Sequence, residues 1–363
     1  MSTSVRVALD CSLSRGGLGR GGNRFARAVE AAVDLLCCHA SFNQTIDVVK
    51  FDLVHWQRKA DEGGSPVRMS RLPGPVKRAL WDKGTGWRLG ALGTRFIGLP
   101  DVVHTVEFRL VQLAGSRSIY SLFDLPWIRG ASHAEGLRAT IESSLQRADV
   151  VLAVSECTKD DAMTWGLPES RIRQIYPAIE PVYLESPKKP RPASITGDFL
   201  LFVGSCGSPN KNFKRLLLAL AESYLDIPLV VVGPHDPSPY LHEVHVHVPV
   251  VYLGHVSEET LLSLYDHATA LLFPSLFEGF GYPIVEAMAR GCPVLTSNIE
   301  VIREVANDAA VFVNPLEIDD MIRGLLEITD HSVINPLILR GRKQATNFSL
   351  QRLASSLLSV YTE

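Results

Sequence analysis

Two glutamates eight positions apart, Glu278 and Glu286, lie in the stretch Phe273-Pro-Ser-Leu-Phe-Glu-Gly-Phe-Gly-Tyr-Pro-Ile-Val-Glu-Ala-Met-Ala-Arg-Gly-Cys-Pro. Pro283 suits the first position of a helix, Gly291 the residue that ends one, and Pro293 the chain beyond it, so the spacing predicts a two-turn helix over 283–290. Its first amides, at Ile284 and Val285, are expected to point back into the loop Glu278 to Tyr282, where Gly279 and Gly281 let the backbone approach a ligand. A helix N-terminus behind a glycine loop, just past a strand, suits a phosphate. A carboxylate touching that phosphate would be repelled, which directs Glu278 and Glu286 to nearby hydroxyls, those of a sugar and a ribose. Ser275-Leu-Phe-Glu278 also matches a capping box, but a helix opened there would run into Gly279, Gly281 and Pro283.

The elements that must position this loop alternate along most of the chain. β-Branched runs at 5–9, 46–51, 150–154, 200–203, 229–232, 270–273 and 294–296 read as strands, and amphipathic stretches at 25–36, 213–221 and 258–267 as helices between them, an α/β pattern with parallel sheets. Glu185-Ser-Pro-Lys-Lys-Pro-Arg-Pro is a solvated linker by composition. On either side the chain opens alike, strand then loop then helix, at Val5 to Asp10 with the glycine-rich Gly16 to Gly22, and at Phe199 to Gly204 with the loop to Asn210. This predicts two Rossmann-like domains facing across a cleft, with the ligand at the carboxyl ends of the strands. The predicted divisions are 1–185, 186–347 and a last helix, 348–363, crossing back to the first domain.

Composition narrows the function classes. The 363 residues carry 36 basic and 39 acidic side chains, a net charge of −3, and 46% are apolar, which excludes a disordered chain and argues against a nucleic-acid binder. No apolar run approaches the length of a spanning helix, the first residues lack the pattern of a leader, and the six cysteines show no C-x-x-C spacing. The expected location is cytoplasmic.

Three further features are weighed on chemistry. Gly17-x-Gly19-x-x-Gly22 matches a dinucleotide fingerprint, but Cys11 to Gly16 separate it from the strand, which argues against a nicotinamide enzyme. His242, His245 and His247 invite a metal, yet no recurring ligand set accompanies them and a solvated strand edge is the expectation. Residues 66–98 hold seven cations (Arg68, Arg71, Lys77, Arg78, Lys83, Arg88, Arg95) against Asp82 alone, with Trp81, Trp87 and Phe96 interleaved. That segment fits either the surface of an anionic membrane or a solvated helix face with buried tryptophans.

Taken with other segments, Glu278-x7-Glu286 resembles the signature of the retaining GT-B glycosyltransferases of family four, especially the bacterial mannosyltransferase-like members. Gly16-Gly-Leu-Gly-Arg20 resembles their N-terminal loop, Arg147-Ala-Asp-Val to Ser155 an "RAD…VS" strand, and Val203-Gly204 with Asn210-Lys211-Asn212 the "VG…KN" opening of the nucleotide domain. Leu253-Gly254-His-Val256 resembles a loop that holds the base, and Glu304 to Ala310 a further family segment. The resemblance implies a GT-B fold and transfer of a sugar, mannose or a related hexose or deoxyhexose, from a nucleoside diphosphate, GDP by family likeness, to a glycan or lipid-linked acceptor, with no metal and no other cofactor. It implies catalytic roles for Glu278, Lys211 and Asp124. Donor contacts fall to Gly17, Gly19, Ser205, Val256, Gly279, Phe280, Gly281, Tyr282 and Glu286. His104, Phe123 and Arg15 are expected on the acceptor side. Ser205 stands where many relatives carry arginine, and Phe123 where histidine is common; an apolar contact there suits a deoxysugar methyl. An epimerase of the same fold and a non-catalytic sugar-nucleotide binder are the alternatives. Peripheral contact with the inner face of the cytoplasmic membrane through 66–98 remains open.

Overall fold

In the computed structural model the described residues are 4–11, 13, 21–38, 46–52, 68–69, 88–89, 98–106, 108–129, 135–193 and 195–363. They divide into two compact units, Met1–Ala178 together with Leu350–Glu363, and Ile179–Ser349. Within the first unit run β1 (Val5–Asp10), α1 (Gly21–Cys38), β2 (Ile46–Asp52), β3 (Arg68–Met69), β4 (Arg88–Leu89), β5 (Val102–Thr105), β6 (Gln112–Leu113), β7 (Arg117–Leu122), α2 (Glu135–Arg147), β8 (Val150–Ala153), α3 (Glu156–Trp165) and β9 (Ile172–Gln174). Seven strands form a parallel sheet in the order β3-β2-β1-β5-β7-β8-β9, and β4 pairs with β6.

The second unit continues with α4 (Pro181–Glu185), β10 (Leu200–Val203), α5 (Phe213–Ser223), β11 (Leu229–Val232), α6 (Ser238–Glu243), β12 (Val250–Gly254), α7 (Glu258–His267), β13 (Ala270–Phe273), α8 (Tyr282–Arg290), β14 (Val294–Ser297), α9 (Glu300–Ala306), β15 (Val311–Val313), α10 (Ile318–Glu327) and α11 (His331–Ala345). Its parallel sheet runs β12-β11-β10-β13-β14-β15. The central strands are apolar on both faces because helices cover both, as parallel sheets require. Phe202 on β10 meets Phe213 on α5 edge-on at 4.8 Å, within a core that also holds Leu216, Leu272, Leu295 and Leu325. The last helix, α12 (Leu350–Thr362), packs on α1 in the first unit.

All seven strands expected from the sequence are present, and β3, β4, β5, β6, β7, β9, β12 and β15 add to them. Polar residues interrupt several of them. Burial is tolerated because each polar group finds a partner: Ser118 on β7 donates to Asp149 through both its amide, at 2.8 Å, and its hydroxyl, at 2.6 Å.

The segment expected as a linker joins neither sheet and is exposed over most of 185–192, and some of its groups are fastened to the second unit. Lys189 donates its amide to Asp266 at 2.6 Å, Ser263 donates to the Pro190 carbonyl at 2.5 Å, and Arg290 donates to the Ser186 and Pro187 carbonyls at 2.8 and 3.0 Å. Of the histidines expected on a strand edge, His242 lies on α6 and His245 and His247 in the coil between α6 and β12, all three exposed, with His247 3.0 Å from the Leu225 carbonyl. Among the described residues no helix is long and apolar enough to cross a membrane.

Candidate active site

In the second unit the sheet order reverses between β10 and β13. Connections leaving neighbouring strands at such a point diverge to opposite faces and open a crevice at the carboxyl ends. The two loops that border it, 204–212 after β10 and 274–281 after β13, are bonded to one another. Leu276 donates its amide to the Asn210 carbonyl at 2.7 Å, and the Asn210 side chain reaches the Phe277 carbonyl at 3.3 Å. Asn212 closes the first loop in a left-handed conformation (φ 56°) that asparagine tolerates better than most residues, and it is tied to the Pro315 carbonyl at 2.6 Å.

Across the meshed loops Lys211 forms an ion pair with Glu278, their side chains only 18% and 13% exposed. The Lys211 ammonium also sits 4.6 Å from the ring centroid of Phe273, the last residue of β13. A pair so far withdrawn from water holds its geometry tightly, because either charge alone would carry an uncompensated desolvation cost. In the sequence the two are separate catalytic candidates, 67 positions apart. Here they are a single unit.

No helix opens at Ser275, and α8 begins at Tyr282 with Pro283 in its first turn and Gly291 as its left-handed terminator. Gly281 adopts φ 96° just before it, a conformation costly for any side chain. The expected pair of open amides needs revision: Ile284 donates its N–H to the Gly281 carbonyl at 3.0 Å. Phe280 and Tyr282 turn their rings toward one another, 5.2 Å apart, and Phe280 also packs on Phe348 at 5.3 Å. These side chains are core, so any ligand contact at these positions falls to the backbone, as at Gly279.

Glu286 is 1% exposed and accepts a 3.0 Å hydrogen bond from the Tyr265 hydroxyl on α7, itself 1% exposed. One turn on, Arg290 pairs with Asp266 at 2.7 Å. The dipeptide Tyr265-Asp266 thus grips α8 at two successive turns. Tyr265 escaped the sequence reading because nothing in its spacing links it to Glu286.

Ser205 is half-buried, its hydroxyl 2.8 Å from Nδ1 of His235 beyond β11. Val256 is half-buried between β12 and the N-cap Ser257 of α7. In the first unit, His104 corrects an expectation. It is fully buried, with Nδ1 2.7 Å from the Tyr361 hydroxyl and Nε2 2.8 Å from the Ser121 hydroxyl, so it is a packing residue and not an acceptor contact. Burial holds its pKa down at about 3. Phe123 lies edge-on to Phe25 at 5.5 Å and tilted against Phe108 at 6.0 Å, and Asp124 follows it, half-buried. Gly17, Gly19 and Arg15 lie outside the described residues, as do the tryptophans and most cations of 66–98.

Comparison with known proteins covers both units. The family model described as Glycosyltransferase Family 4 matches residues 16–182, and that described as Glycosyl transferases group 1 matches residues 187–341. The O-antigen chain mannosyltransferase B of Escherichia coli is 28% identical over 258 residues, 66% of this chain and 68% of that protein. The O-antigen chain mannosyltransferase RfbU of Salmonella typhimurium is 33% identical over 186 residues, 49% of this chain and half of the relative's length. Among solved structures, sucrose-phosphate synthase from Thermosynechococcus elongatus superposes with a TM-score of 0.75 over 99% of this chain and 98% of that one, at 18% identity, a likeness of fold.

Proposed function

The chain belongs to the glycosyltransferases of family 4, GT-B in fold, and from that premise we propose that it moves mannose, or a closely related hexose or deoxyhexose, from a GDP-linked donor to a hydroxyl of a glycan or lipid-linked acceptor. Transfer proceeds with retention and without a metal, in surface polysaccharide synthesis at the inner face of the cytoplasmic membrane. The likeness to two relatives named as O-antigen chain mannosyltransferases supports the sugar and the setting.

The observation that carries the reading is the Lys211–Glu278 pair between the two loops that border the reversal of the sheet. Without donor, each charge is the other's partner. A donor diphosphate offers Lys211 a second oxyanion, and Glu278, freed from full engagement, accepts hydrogen bonds from hydroxyls of the sugar. Backbone amides of Gly279 to Tyr282 supply further donors to the leaving group, whose charge grows as the bond from C1 to the phosphate oxygen breaks. The acceptor oxygen bonds to C1 on the same face, and its proton passes to the departing phosphate oxygen. Glu286 takes the ribose hydroxyls from its place on α8.

A thermal-shift panel with GDP, UDP, dTDP and ADP, each with and without magnesium, tests the base and the metal requirement together. GDP is expected to raise the midpoint most, equally in EDTA. Turnover of GDP-mannose should then fall by about 10²–10³ in kcat/KM in Lys211→Ala and in Glu278→Gln, the range for removal of one transition-state donor. Nuclear magnetic resonance of the product, showing the donor's own anomeric configuration, checks retention. No shift with any nucleoside diphosphate would overturn the reading.

A further inference from the structure

His235 lies beyond the carboxyl end of β11, on the same sheet edge as Lys211, and several features of the chain bring it onto the loop that follows β10. Its Nδ1 stands 2.8 Å from the Ser205 hydroxyl, and its carbonyl accepts from the Cys206 thiol at 2.9 Å. Its ring lies on Gly207, where a Cβ would come within 3.0 Å of imidazole Cγ and 3.2 Å of Cδ2. Two residues earlier, Gly233 packs so closely on the neighbouring loop that a Cβ there would fall on the Gly204 carbonyl oxygen. Residues 205, 206 and 207 all touch His235, and two glycines leave room for the approach. The imidazole is nevertheless solvent-exposed, and among the described residues nothing takes its Nε2.

With the Ser205 hydroxyl donating to Nδ1, the proton of a neutral imidazole sits on Nε2. The hydroxyl fixes the tilt of the ring, and in this tautomer the outward nitrogen is a hydrogen-bond donor. The stem of Lys211 lies beside the same loop, 3.6 Å from where a Cβ on Gly204 would stand. The lysine borders Gly204 and the histidine borders its neighbour Ser205, and the lysine charge is shared with Glu278.

We propose that His235, oriented by Ser205, is a ligand of the donor's diphosphate, giving a hydrogen bond from Nε2–H to a phosphoryl oxygen beside Lys211. The assignment rests on the reading of the second unit as the site of a nucleoside-diphosphate sugar. An anion with two phosphates needs more donors than one partly neutralised ammonium, and the imidazole N–H adds one. His235 acts on the substrate directly; Ser205 is a positioning residue.

Calorimetric titration of the full chain with GDP and GMP, and in parallel with UDP and UMP, separates the diphosphate from the rest of the nucleotide. His235→Ala is expected to weaken the diphosphate about tenfold, the loss of one hydrogen bond to a charged group, and to change the monophosphate less than about twofold. Ser205→Ala should act in the same direction by about threefold, because the ring survives but its orientation is no longer held. His235→Gln, whose amide can place an N–H near the position of Nε2, should recover most of the diphosphate affinity. Equal weakening of both nucleotides, or no weakening of either, overturns the assignment. A wild-type protein that binds neither GDP nor UDP is a different result: it removes the donor reading on which the assignment rests. The ring is exposed, so the variants should keep the wild-type melting temperature, which the same samples report.

Discussion

At the scale of single residues, several buried polar groups are paired across elements, and the pairs have measurable consequences. Tyr265→Phe keeps the ring that packs in the core of the second unit and removes only the hydroxyl that donates to Glu286. The expected loss is about 1 kcal/mol in urea unfolding, typical of one buried hydrogen bond, together with weaker nucleotide binding as Glu286 loses its fixed orientation. His104 gives a pH dependence with a defined sign. Its folded pKa, about 3, lies below the ordinary 6.5, so between those values the unfolded chain binds a proton that the folded chain refuses. Stability is therefore undiminished above pH 6.5 and falls as the pH drops toward 3, by up to about 1.4 kcal/mol per unit from this residue. His104→Gln, which cannot take up the proton, should flatten that part of the curve in denaturant titrations at a series of pH values. In the sequence the histidine stands out only as an acceptor-side candidate. Its burial beneath Tyr361 is not legible there, because the two stand 257 positions apart and only packing brings them together.

Among the elements, the loops that leave β10 and β13 owe their shape to places where no side chain fits. Gly233→Ala would put a methyl on the backbone oxygen of Gly204, and neither strand end can yield without breaking its ladder. We expect a loss of about 1–3 kcal/mol, as for other overpacked sites, with displacement of 204–207 and loss of nucleotide affinity beyond what the stability change explains. Chemical denaturation and ligand titration of the same variant measure both. The helix α8 was readable almost to the residue from Pro283 and Gly291, since start and stop signals are local chemistry. The Ile284 amide was misread for a related reason: a tight first turn spends an N–H that an ideal helix would leave open, and that depends on the conformation Gly281 adopts. The strands β5 and β7 were missed because His104, Ser118 and Ser121 break the apolar pattern, and their partners lie on other elements.

For the whole molecule, the chain returns to its first unit at the end, where α12 packs on α1 and Tyr361 bonds His104. Tyr361→Phe should lower the unfolding midpoint of the first unit by the loss of one buried hydrogen bond, about 1 kcal/mol, and leave its partner nitrogen unsatisfied. Nucleotide affinity, which the proposed function assigns to the second unit, should be unchanged, so calorimetry with GDP beside a thermal melt distinguishes the two effects. The amino-acid sequence by itself determined the α/β class, the family likeness, and the positions of Glu278, Lys211 and the glycine loop. Those rest on local periodicity, helix punctuation and motif spacing, which act within a few turns of chain. Tertiary structure alone decided that Lys211 and Glu278 form one ion pair, that Tyr265 and Asp266 hold α8, that Ser205 seats His235, and that His104 is packing. Each of these joins residues from separate elements, and the register that brings them within hydrogen-bond reach is set by sheet order and core packing.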